Sequence, residues 1–337
     1  MKAIVLREAR CAELVEVAEP STHEDEILLR VRKVGLCGSD LNSFRGLNQL
    51  VTYPRVPGHE IAATVAELNP RHSEWQPGTN VTLSPYSACG QCASCLRGRP
   101  NACQNNQTLG VQRDGALAEF VAVPADRLYR AELSLKELCL VEPLTVGFHA
   151  ASRGRVASGD IVAVIGCGGV GLGAVAGAAF RGATVIAVDV EESKLATARK
   201  AGAHHAINSA AMDLHTALAD LTGGRGPDVI IEAIGLPKTF RTAVEEVAFT
   251  GRVVYIGYAK QDVAYETRLF VQKELDILGS RNAQPEDFRA VIRMLEERRF
   301  PVDEAVTHTI PIEQTPEILA AWDREPGRFG KILIEVA

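Results

Sequence analysis

The sequence lacks an excess of positive charge. Its 36 lysine and arginine residues are outnumbered by 42 aspartate and glutamate residues, giving a formal net charge of -6. Since a general nucleic-acid binder needs a basic face, we expect no nucleic-acid partner. Charged residues make up 23% of the chain and hydrophobic residues 46%. This composition is that of a folded protein and argues against intrinsic disorder.

Apolar segments that could target or anchor the protein are also scarce. Arg7, Glu8 and Arg10 interrupt the start of the chain, where a signal peptide needs an apolar run. Residues 161–180 carry no charge, but six of them are glycine, and no second such segment follows. A membrane-spanning helix needs about 20 strongly apolar residues. We therefore interpret this segment as a buried strand, a glycine turn and a buried helix, and expect a cytoplasmic protein with reduced thiols and no membrane partner.

Internal repeats and low-complexity segments are absent from the sequence as well. The 337 residues suffice for two domains. Residues 1–140 contain short alternating or apolar runs separated by glycine, proline and asparagine, which predicts a β-rich domain. From residue 143 to about 280, apolar strands alternate with helical segments. This alternation predicts a parallel sheet covered by helices on both faces.

A glycine-rich turn, GCGGVG, follows the predicted strand IVAVIG and precedes a predicted helix. In a dinucleotide-binding turn, Gly166 would permit the tight turn, Gly168 the approach of the pyrophosphate, and Gly171 close packing of helix and strand. The N-terminus of the helix would then face the phosphates. A flavodoxin-like or S-adenosylmethionine-binding sheet is the alternative interpretation.

The end of the next predicted strand indicates which dinucleotide binds. Asp189 lies 23 residues after Gly166, where a carboxylate can bind both ribose hydroxyls and repel a 2′-phosphate. The following residue is Val190, so no arginine is present there to receive that phosphate. The sequence therefore favours NAD over NADP. The candidate cofactor-binding residues are Gly166, Gly168, Gly169, Val170, Gly171, Asp189, Lys194, Ile234 and Gly257.

Four of the eight cysteines lie within fifteen residues, in CGQCASCLRGRPNAC. The spacing C-x2-C-x2-C-x7-C predicts a closed tetrahedral thiolate site for a structural zinc ion. A disulfide is disfavoured in a reducing compartment, and a zinc ribbon would need two C-x2-C pairs about 15–20 residues apart. The predicted ligands are Cys89, Cys92, Cys95 and Cys103.

A second set of metal-binding residue types is spread over the chain. Cys37 lies in GLCGSD, His59 and Glu60 in PGHE, and Glu142 in VEPL. Three protein ligands plus water are typical of a catalytic zinc site. Each residue taken alone also has a structural interpretation, as a small core residue, a loop histidine or a salt-bridge partner.

These motifs, in this order, resemble the zinc-dependent medium-chain dehydrogenase/reductase superfamily, and the resemblance covers essentially the whole chain. It implies an α/β protein with a GroES-like β-rich catalytic domain, residues 1–143 and 286–337, and a Rossmann doubly wound parallel-sheet domain, residues 144–285. It further implies an active site between the domains, two zinc ions per subunit, one catalytic and one structural, bound NAD, and a homodimer or homotetramer.

Particular residues place the chain within that superfamily. Glu142 stands where vertebrate-type alcohol dehydrogenases have cysteine, which resembles the sorbitol, threonine and sugar-acid dehydrogenase branch. We expect Cys37, His59 and either Glu142 or Glu60 to bind the catalytic zinc. The stretches RGLNQLVTYPRVPGHE and LGSRNAQPEDF are similar to bacterial L-galactonate and L-gulonate dehydrogenases. The candidate substrate contacts are Phe44, Tyr53, Arg281 and Asn282.

Arg281 falls where the polyol branch has a substrate-contacting arginine. A guanidinium suits a carboxylate or a vicinal diol through paired hydrogen bonds. A surface arginine that closes the last strand of the Rossmann sheet is the alternative.

The resemblance predicts hydride transfer from a secondary hydroxyl of a sugar acid or polyol to NAD, which gives the ketone. The substrate alcohol would replace the zinc-bound water, and Ser39 would accept the alcohol proton. Asn42 stands where many relatives have the last histidine of the proton relay. The catalytic candidates are Ser39, Cys37, His59, Glu60 and Glu142.

Three alternative functions stay open. The first is a sorbitol- or galactitol-type polyol dehydrogenase, and the second is a threonine or secondary alcohol dehydrogenase. The third is a non-catalytic sensor that binds zinc and NAD.

Overall fold

The structure, a computed structural model, describes residues 1–336 and divides the chain into two compact units. Unit 1 comprises Met1–Glu142 and the C-terminal segment from Val302 onward, and unit 2 comprises Pro143–Pro301. The first boundary lies next to the expected one. The second lies at Val302 rather than at residue 286, because the helix Pro285–Glu296 stays with unit 2.

The contacts of this helix explain its place in unit 2. The Asp287 carboxylate lies 2.8 Å from His149 Nδ1 and accepts a hydrogen bond of 3.3 Å from the Ser152 hydroxyl. Further along the helix, the Arg293 guanidinium lies 4.9 Å from the ring centroid of Phe180. Both anchors join the helix to unit 2 elements, so the chain returns to unit 1 only after the helix has ended.

Unit 1 is mostly β-structure, as the sequence predicts. Its elements before the unit boundary are β1 (Lys2–Glu8), β2 (Cys11–Glu16), β3 (Glu26–Leu36), α1 (Gly38–Phe44), β4 (Glu60–Val65), β5 (Asn80–Leu83), β6 (Tyr86–Ser87), α2 (Ala93–Leu96), β7 (Gln107–Thr108), β8 (Phe120–Pro124) and β9 (Leu128–Arg130).

The long helix α3 (Leu135–Arg153) contains the unit boundary. A capping box starts it, because the Ser134 backbone N–H donates to Glu137 Oε2 at 2.8 Å and the Glu137 N–H donates to Ser134 Oγ at 3.3 Å. Pro143 lies inside the helix. A proline inside a helix removes one backbone hydrogen bond, which is why the sequence pattern alone did not predict a helix here.

Unit 2 alternates strands and helices in the predicted order. Its elements are β10 (Ile161–Ile165), α4 (Gly169–Phe180), β11 (Thr184–Asp189), α5 (Glu192–Lys200), β12 (His205–Asn208), α6 (Leu214–Thr222), β13 (Val229–Glu232), α7 (Pro237–Glu246), β14 (Arg252–Tyr255), α8 (Arg268–Gln272), β15 (Asp276–Gly279) and α9 (Pro285–Glu296).

The six strands of unit 2 form one parallel sheet in the order β12-β11-β10-β13-β14-β15. The central strands consist mainly of buried valine, isoleucine and alanine, as a sheet covered on both faces requires. The strand order reverses between β10 and β13, and ligands of such sheets bind at the carboxyl ends of the strands there. This Rossmann topology confirms the predicted fold class.

The C-terminal segment of unit 1 contributes α10 (Val302–Ala305), β16 (Val306–Pro311), α11 (Thr315–Arg324) and β17 (Lys331–Glu335). The strands β16-β17-β3-β4-β5-β9 form the main sheet of unit 1, and β8 also pairs with β3. The antiparallel pairing of β17 with β3 places Ile332 opposite Leu36. Residues near the C-terminus therefore lie beside the end of β3, where the candidate metal ligands begin.

Within residues 1–336, no helix is both long enough and apolar enough to cross a membrane.

Candidate metal and dinucleotide sites

Unit 1 brings three of the predicted zinc ligands together. Cys37 directly follows β3, and His59 and Glu60 stand at the start of β4. The pairing of β3 with β4 places Gly35 opposite Glu60, and the ligand atoms of Cys37, His59 and Glu60 all lie within 4.8 Å of one another. A side chain at Gly35 would collide with this group, since its Cβ would lie 2.0 Å from Glu60 Oε2. We call these three residues the Cys37 centre.

Buried polar atoms without a partner indicate that the Cys37 centre is built for a further group. His59 Nδ1 and Ser39 Oγ are buried and make no hydrogen bond. Leaving such atoms unpaired is costly, and a bound substrate would satisfy the Ser39 hydroxyl, while His59 Nδ1 faces Asp40 Oδ1 at 3.8 Å. Sulfur, imidazole nitrogen and carboxylate oxygen are also the donor types that zinc accepts. The residues of the centre therefore fit the predicted zinc ion.

Negative charge around His59 supports a cation at this place. Burial alone would lower the pKa of His59, but Asp40, Cys37 and Glu142 outweigh burial and raise the pKa well above its usual value. Asp40 Oδ1 lies 3.8 Å from His59 Nδ1, and the Asp40 carboxylate accepts backbone hydrogen bonds from Cys37 at 2.9 Å and Gly58 at 3.2 Å. Sequence reasoning missed Asp40, although it belongs to the same GLCGSD motif.

Glu142, the other predicted carboxylate ligand, is buried near this centre but outside the group of close ligand atoms. Burial raises its pKa to about 7, and the charge of Glu60 adds to the rise, while His59 opposes it. Its Oε1 accepts a hydrogen bond from the phenol of Tyr86. Sequence reasoning did not assign Tyr86 a role.

Glu60 has a different partner from that of Glu142. Lys331 Nζ, at the start of β17, lies 2.6 Å from both carboxylate oxygens of Glu60. Both side chains are largely buried, with relative exposures of 10% and 1%. Sequence reasoning missed Lys331 because the residue reaches Glu60 only through the pairing of the C-terminal strand β17 with β3.

The four cysteines at positions 89–103 also converge, and we call this segment the cysteine lobe. Their sulfur atoms lie within 4.8 Å of one another. Cys92 Sγ is 3.4 Å from Cys95 Sγ, and Cys103 Sγ is 3.8 Å from Cys92 Sγ and 3.6 Å from Cys89 Sγ. Zn–S bonds of about 2.3 Å in a tetrahedron require S–S distances of about 3.8 Å. The lobe therefore fits the predicted structural zinc, and all of its cysteines are free thiols.

The glycine turn of unit 2 has the geometry that the sequence predicts. Gly166 has a φ of +95°, which favours glycine. A Cβ on Gly171 would lie 1.8 Å from the Gly166 carbonyl oxygen, so only glycine permits this close packing. Gly168 precedes α4, and a Cβ there would meet no atom within 4 Å. The backbone at Gly168 is therefore open to a phosphate at the helix N-terminus.

Asp189 lies at the carboxyl end of β11 in a fixed orientation. Its Oδ2 accepts a hydrogen bond of 2.7 Å from the Cys167 N–H, and its Oδ1 accepts bonds from Val190 at 2.8 Å and Glu191 at 3.1 Å. Three backbone donors therefore aim this carboxylate at the edge of the sheet where the ribose of a dinucleotide would lie. The predicted Lys194 forms an ion pair with Glu191 at 2.7 Å.

Ile234 and Gly257 follow neighbouring strands of the same sheet edge. Ile234 is 45% exposed, although it is apolar. A Cβ on Gly257 would lie 2.6 Å from Glu232 Oε2, a buried oxygen without a hydrogen-bond partner. Glu232 was not predicted from the sequence. Its other oxygen accepts bonds of 2.9 and 2.8 Å from the N–H groups of Ile234 and Gly235, which fixes this turn.

The four predicted substrate contacts lie in different environments. Phe44 is 3% exposed and belongs to the hydrophobic core of unit 1, and its contact with a substrate stays a prediction. Helix α1 directs the ring into the core. Tyr53 is half-buried and donates a hydrogen bond to the Ser43 carbonyl oxygen. Arg281 and Asn282 follow β15 in unit 2, and Asn282 has a φ of +53°.

Two family models match the chain. An alcohol dehydrogenase GroES-like domain matches residues 23–132, and a zinc-binding dehydrogenase domain matches residues 169–297.

Several characterised proteins are similar over most of their length. The L-galactonate-5-dehydrogenase of Escherichia coli K12 is 32% identical over 88% of this chain and 88% of its own length. The sorbitol dehydrogenase of Bacillus subtilis 168 is 34% identical over 83% of this chain and 81% of its own length. A crystal structure from Escherichia coli CFT073, described as a short chain alcohol dehydrogenase complexed with NADH, is 27% identical, covers 99% of both chains and superposes with a TM-score of 0.92.

Proposed function

The chain belongs to the zinc-dependent medium-chain dehydrogenases, oxidoreductases that act on CH–OH groups, and we propose that it oxidises a secondary hydroxyl of a sugar acid or polyol to the ketone with NAD. The observation that carries this proposal is the Cys37 centre, because its ligand atoms lie together and Ser39, two residues after Cys37, has a buried hydroxyl without a partner. The unpaired Ser39 hydroxyl supplies a polar group that a bound substrate would satisfy.

The residues of the centre have separate roles in this proposal. Cys37 and His59, with Glu142 or Glu60, hold the zinc, which supplies Lewis acidity, while NAD supplies the hydride acceptor. Ser39 holds the proton of the substrate alcohol, because its hydroxyl is both buried and free to reorient. Asn42 lies on the same helix α1 as Ser39 and cannot titrate, so the proton leaves by another route.

NAD is favoured over NADP by the environment of Asp189. Its carboxylate is held by three backbone donors, and Val190 beside it is 58% exposed with no positive charge of its own. A 2′-phosphate would meet the negative charge of Asp189 without a compensating cation from Val190. Replacing Asp189 with Ser should narrow the preference for NAD over NADP, measured as the ratio of the two kcat/KM values.

The substrate class is drawn from the relatives and from Arg281. Their names describe an L-galactonate-5-dehydrogenase and a sorbitol dehydrogenase, which act on open-chain polyhydroxy compounds. The guanidinium of Arg281 suits the carboxylate of a sugar acid. We propose that the substrate is a small polar molecule of this kind.

We further propose a cytoplasmic homodimer or homotetramer without a nucleic-acid or membrane partner. The eight cysteines are free thiols, as a reducing compartment requires. The outer strand β15 supports an oligomer, because most of its residues are exposed and its apolar Ile277 is 40% exposed. Monomeric proteins usually protect such an edge. Sedimentation velocity of the purified chain would test the oligomeric state.

The test of the function is NADH production by the zinc-loaded protein. L-galactonate and L-gulonate are compared with sorbitol and galactitol at equal concentration, with the Cys37→Ala variant as control. Preference for an acid supports the sugar-acid proposal and predicts that Arg281→Ala mainly raises KM. Preference for a polyol assigns the protein to the polyol alternative. If none of the four compounds yields NADH while the protein still binds NADH and zinc, the non-catalytic sensor would be favoured.

A further inference from the structure

Two carboxylates lie beside Cys37 and His59, and each is held by a different kind of partner. Glu60 forms an ion pair with the Lys331 ammonium through both of its oxygens. Glu142 accepts a hydrogen bond from the uncharged phenol of Tyr86. Glu60, Glu142 and Tyr86 are each less than 9% exposed, so neither carboxylate exchanges its partner freely with water.

The chemistry of the two partners differs in its effect on a metal ligand. An ammonium group neutralises the charge of Glu60 and competes directly with a metal cation for it. A phenol, with an ordinary pKa of about 10, stays protonated at neutral pH and donates one hydrogen bond without supplying a positive charge. The hydrogen bond from Tyr86 therefore orients the Glu142 carboxylate without adding a competing positive charge beside it. Such hydrogen bonds to ligating carboxylates orient the ligands of metal sites.

We propose that Tyr86 is a positioning residue that holds the Glu142 carboxylate for metal binding at the Cys37 centre, and that the cysteine lobe anchors Tyr86. This inference rests on the proposed function, because it assumes that the Cys37 centre binds zinc. It gives the two carboxylates different surroundings: Tyr86 orients Glu142, while Glu60, which lies among the close ligand atoms, is also paired with Lys331.

The backbone around Tyr86 explains how the lobe anchors it. Tyr86 lies on β6, which pairs with β7 so that Tyr86 stands opposite Thr108 and Ser87 opposite Gln107. The Ser87 hydroxyl donates to the Gln107 carbonyl oxygen at 2.7 Å, which strengthens this short ladder. The cysteine lobe forms the connection between β6 and β7. A metal that closes the lobe therefore also holds together the two strands that fix the phenol.

The decisive experiment measures zinc affinity in the Tyr86→Phe variant, which removes only the hydroxyl. The zinc-loaded wild type and variant are titrated with a chelator of known affinity for zinc. The Cys37→Ala variant gives the titration curve for zinc bound in the lobe alone. We expect zinc at the Cys37 centre to bind about 10–100-fold more weakly, with the lobe unchanged. The visible absorption of the cobalt-substituted centre should also change, which a loss of stability alone would not cause.

A matched control is Tyr255→Phe in unit 2. The Tyr255 hydroxyl donates to the Phe240 carbonyl oxygen at 2.8 Å and accepts from the Tyr265 hydroxyl at 3.3 Å, so this variant also removes a hydrogen-bonded phenolic hydroxyl. Its zinc affinities should equal those of the wild type. A change in zinc affinity that both variants share would be a general effect of losing a phenolic hydroxyl, and it would be subtracted from the change measured for Tyr86→Phe.

The outcomes separate the inference from the proposed function. Tyr86→Phe with zinc affinity at the Cys37 centre within twofold of wild type overturns the inference. Wild-type protein that binds zinc only in the lobe overturns the proposed function instead. If Tyr86→Phe does not fold, Glu142→Asp replaces it, because the shorter carboxylate keeps its charge but withdraws from the phenol. Wild-type affinity in that variant would also overturn the inference.

Discussion

The cysteine lobe and the Cys37 centre lie in the same unit but are built in opposite ways. The lobe takes four sulfur ligands from fifteen consecutive residues, and three of its four cysteines are only half-buried. The centre takes sulfur, nitrogen and oxygen from the end of β3 and the start of β4, with Glu142 on α3 nearby. Its side chains of His59, Glu60 and Glu142 are less than 9% exposed.

This difference shows how each site obtains its geometry. A short loop can close around a metal with little help from the rest of the fold, and a four-ligand site leaves no position for a substrate. The Cys37 centre exists only because sheet pairings bring distant residues together. The pairing of β17 with β3 also brings Lys331 to the centre, and Asp40 on α1 and Tyr86 on β6 contribute further hydrogen bonds and charge around its ligands.

The largest effect should follow from His59→Ala. Loss of this ligand should lower kcat/KM by roughly a thousandfold or more, since zinc contributes several kcal/mol to the stabilisation of the transition state. Zinc in the lobe should remain, giving half of the wild-type zinc content by elemental analysis. Retention of full zinc content together with activity within tenfold of wild type would show that His59 belongs to neither a metal site nor the reaction.

The converse substitution, Cys103→Ser, should act on stability. Cys103 is fully buried, and loss of the metal at its position should lower the free energy of unfolding by roughly 3–5 kcal/mol, the upper range for one substitution. Urea unfolding measures this change. Cys11→Ser, outside both sites, is the control and should stay within about 0.5 kcal/mol of wild type. An unchanged unfolding midpoint for Cys103→Ser would mean that the lobe does not need its metal.

A third prediction concerns the buried ion pair between Glu60 of the Cys37 centre and Lys331. Lys331→Met leaves Glu60 without its cation and should cost roughly 3–5 kcal/mol of unfolding free energy. The control Lys33→Met breaks the more exposed pair with Glu335 and should cost less than about 1 kcal/mol. Equal losses in the two variants would show that the Glu60–Lys331 pair behaves as a surface pair.

The smallest effect should come from Ser94→Ala in the lobe. The Ser94 hydroxyl lies 3.1 Å from Cys92 Sγ, and its hydrogen bond is the main cause that lowers the pKa of Cys92 to about 5. Without it the metal-free thiol should hold its proton to higher pH, and zinc should bind the lobe less than about tenfold more weakly. A larger loss of zinc affinity would show that the lobe depends on supporting hydrogen bonds as strongly as the Cys37 centre does.

The sequence predicted features that depend on neighbouring residues. The valine- and isoleucine-rich strands of unit 2 and the glycine turn at Gly166 are local patterns, and the structure confirms the Rossmann sheet that they predicted. The convergence of the four cysteines in the lobe was also predicted, because their spacing along the chain is typical of a zinc site. The assignments of individual ligands in both metal sites stay predictions.

Contacts between residues that are far apart in the sequence could not be predicted from local sequence patterns. Lys331 contacts Glu60 because β17 pairs with β3. Glu142, the partner of Tyr86, lies on α3, a helix that the sequence pattern did not predict because it contains Pro143. The capping box at Ser134 and Glu137 was the available signal for that helix. The burial of the Phe44 ring in the core of unit 1 also depends on the direction of α1, which the sequence pattern does not show.

The short ladder between β6 and β7 also bears on how the length of this chain can change. Because Ser87 stands opposite Gln107, the intervening residues 88–106 leave and re-enter the fold at neighbouring points. A tight turn could join the same two strands, since segments whose ends are close tolerate insertion and deletion. The length of this connection can therefore change without moving either strand. The residues of the Cys37 centre have no such freedom, because each one is carried by an element that also builds the fold.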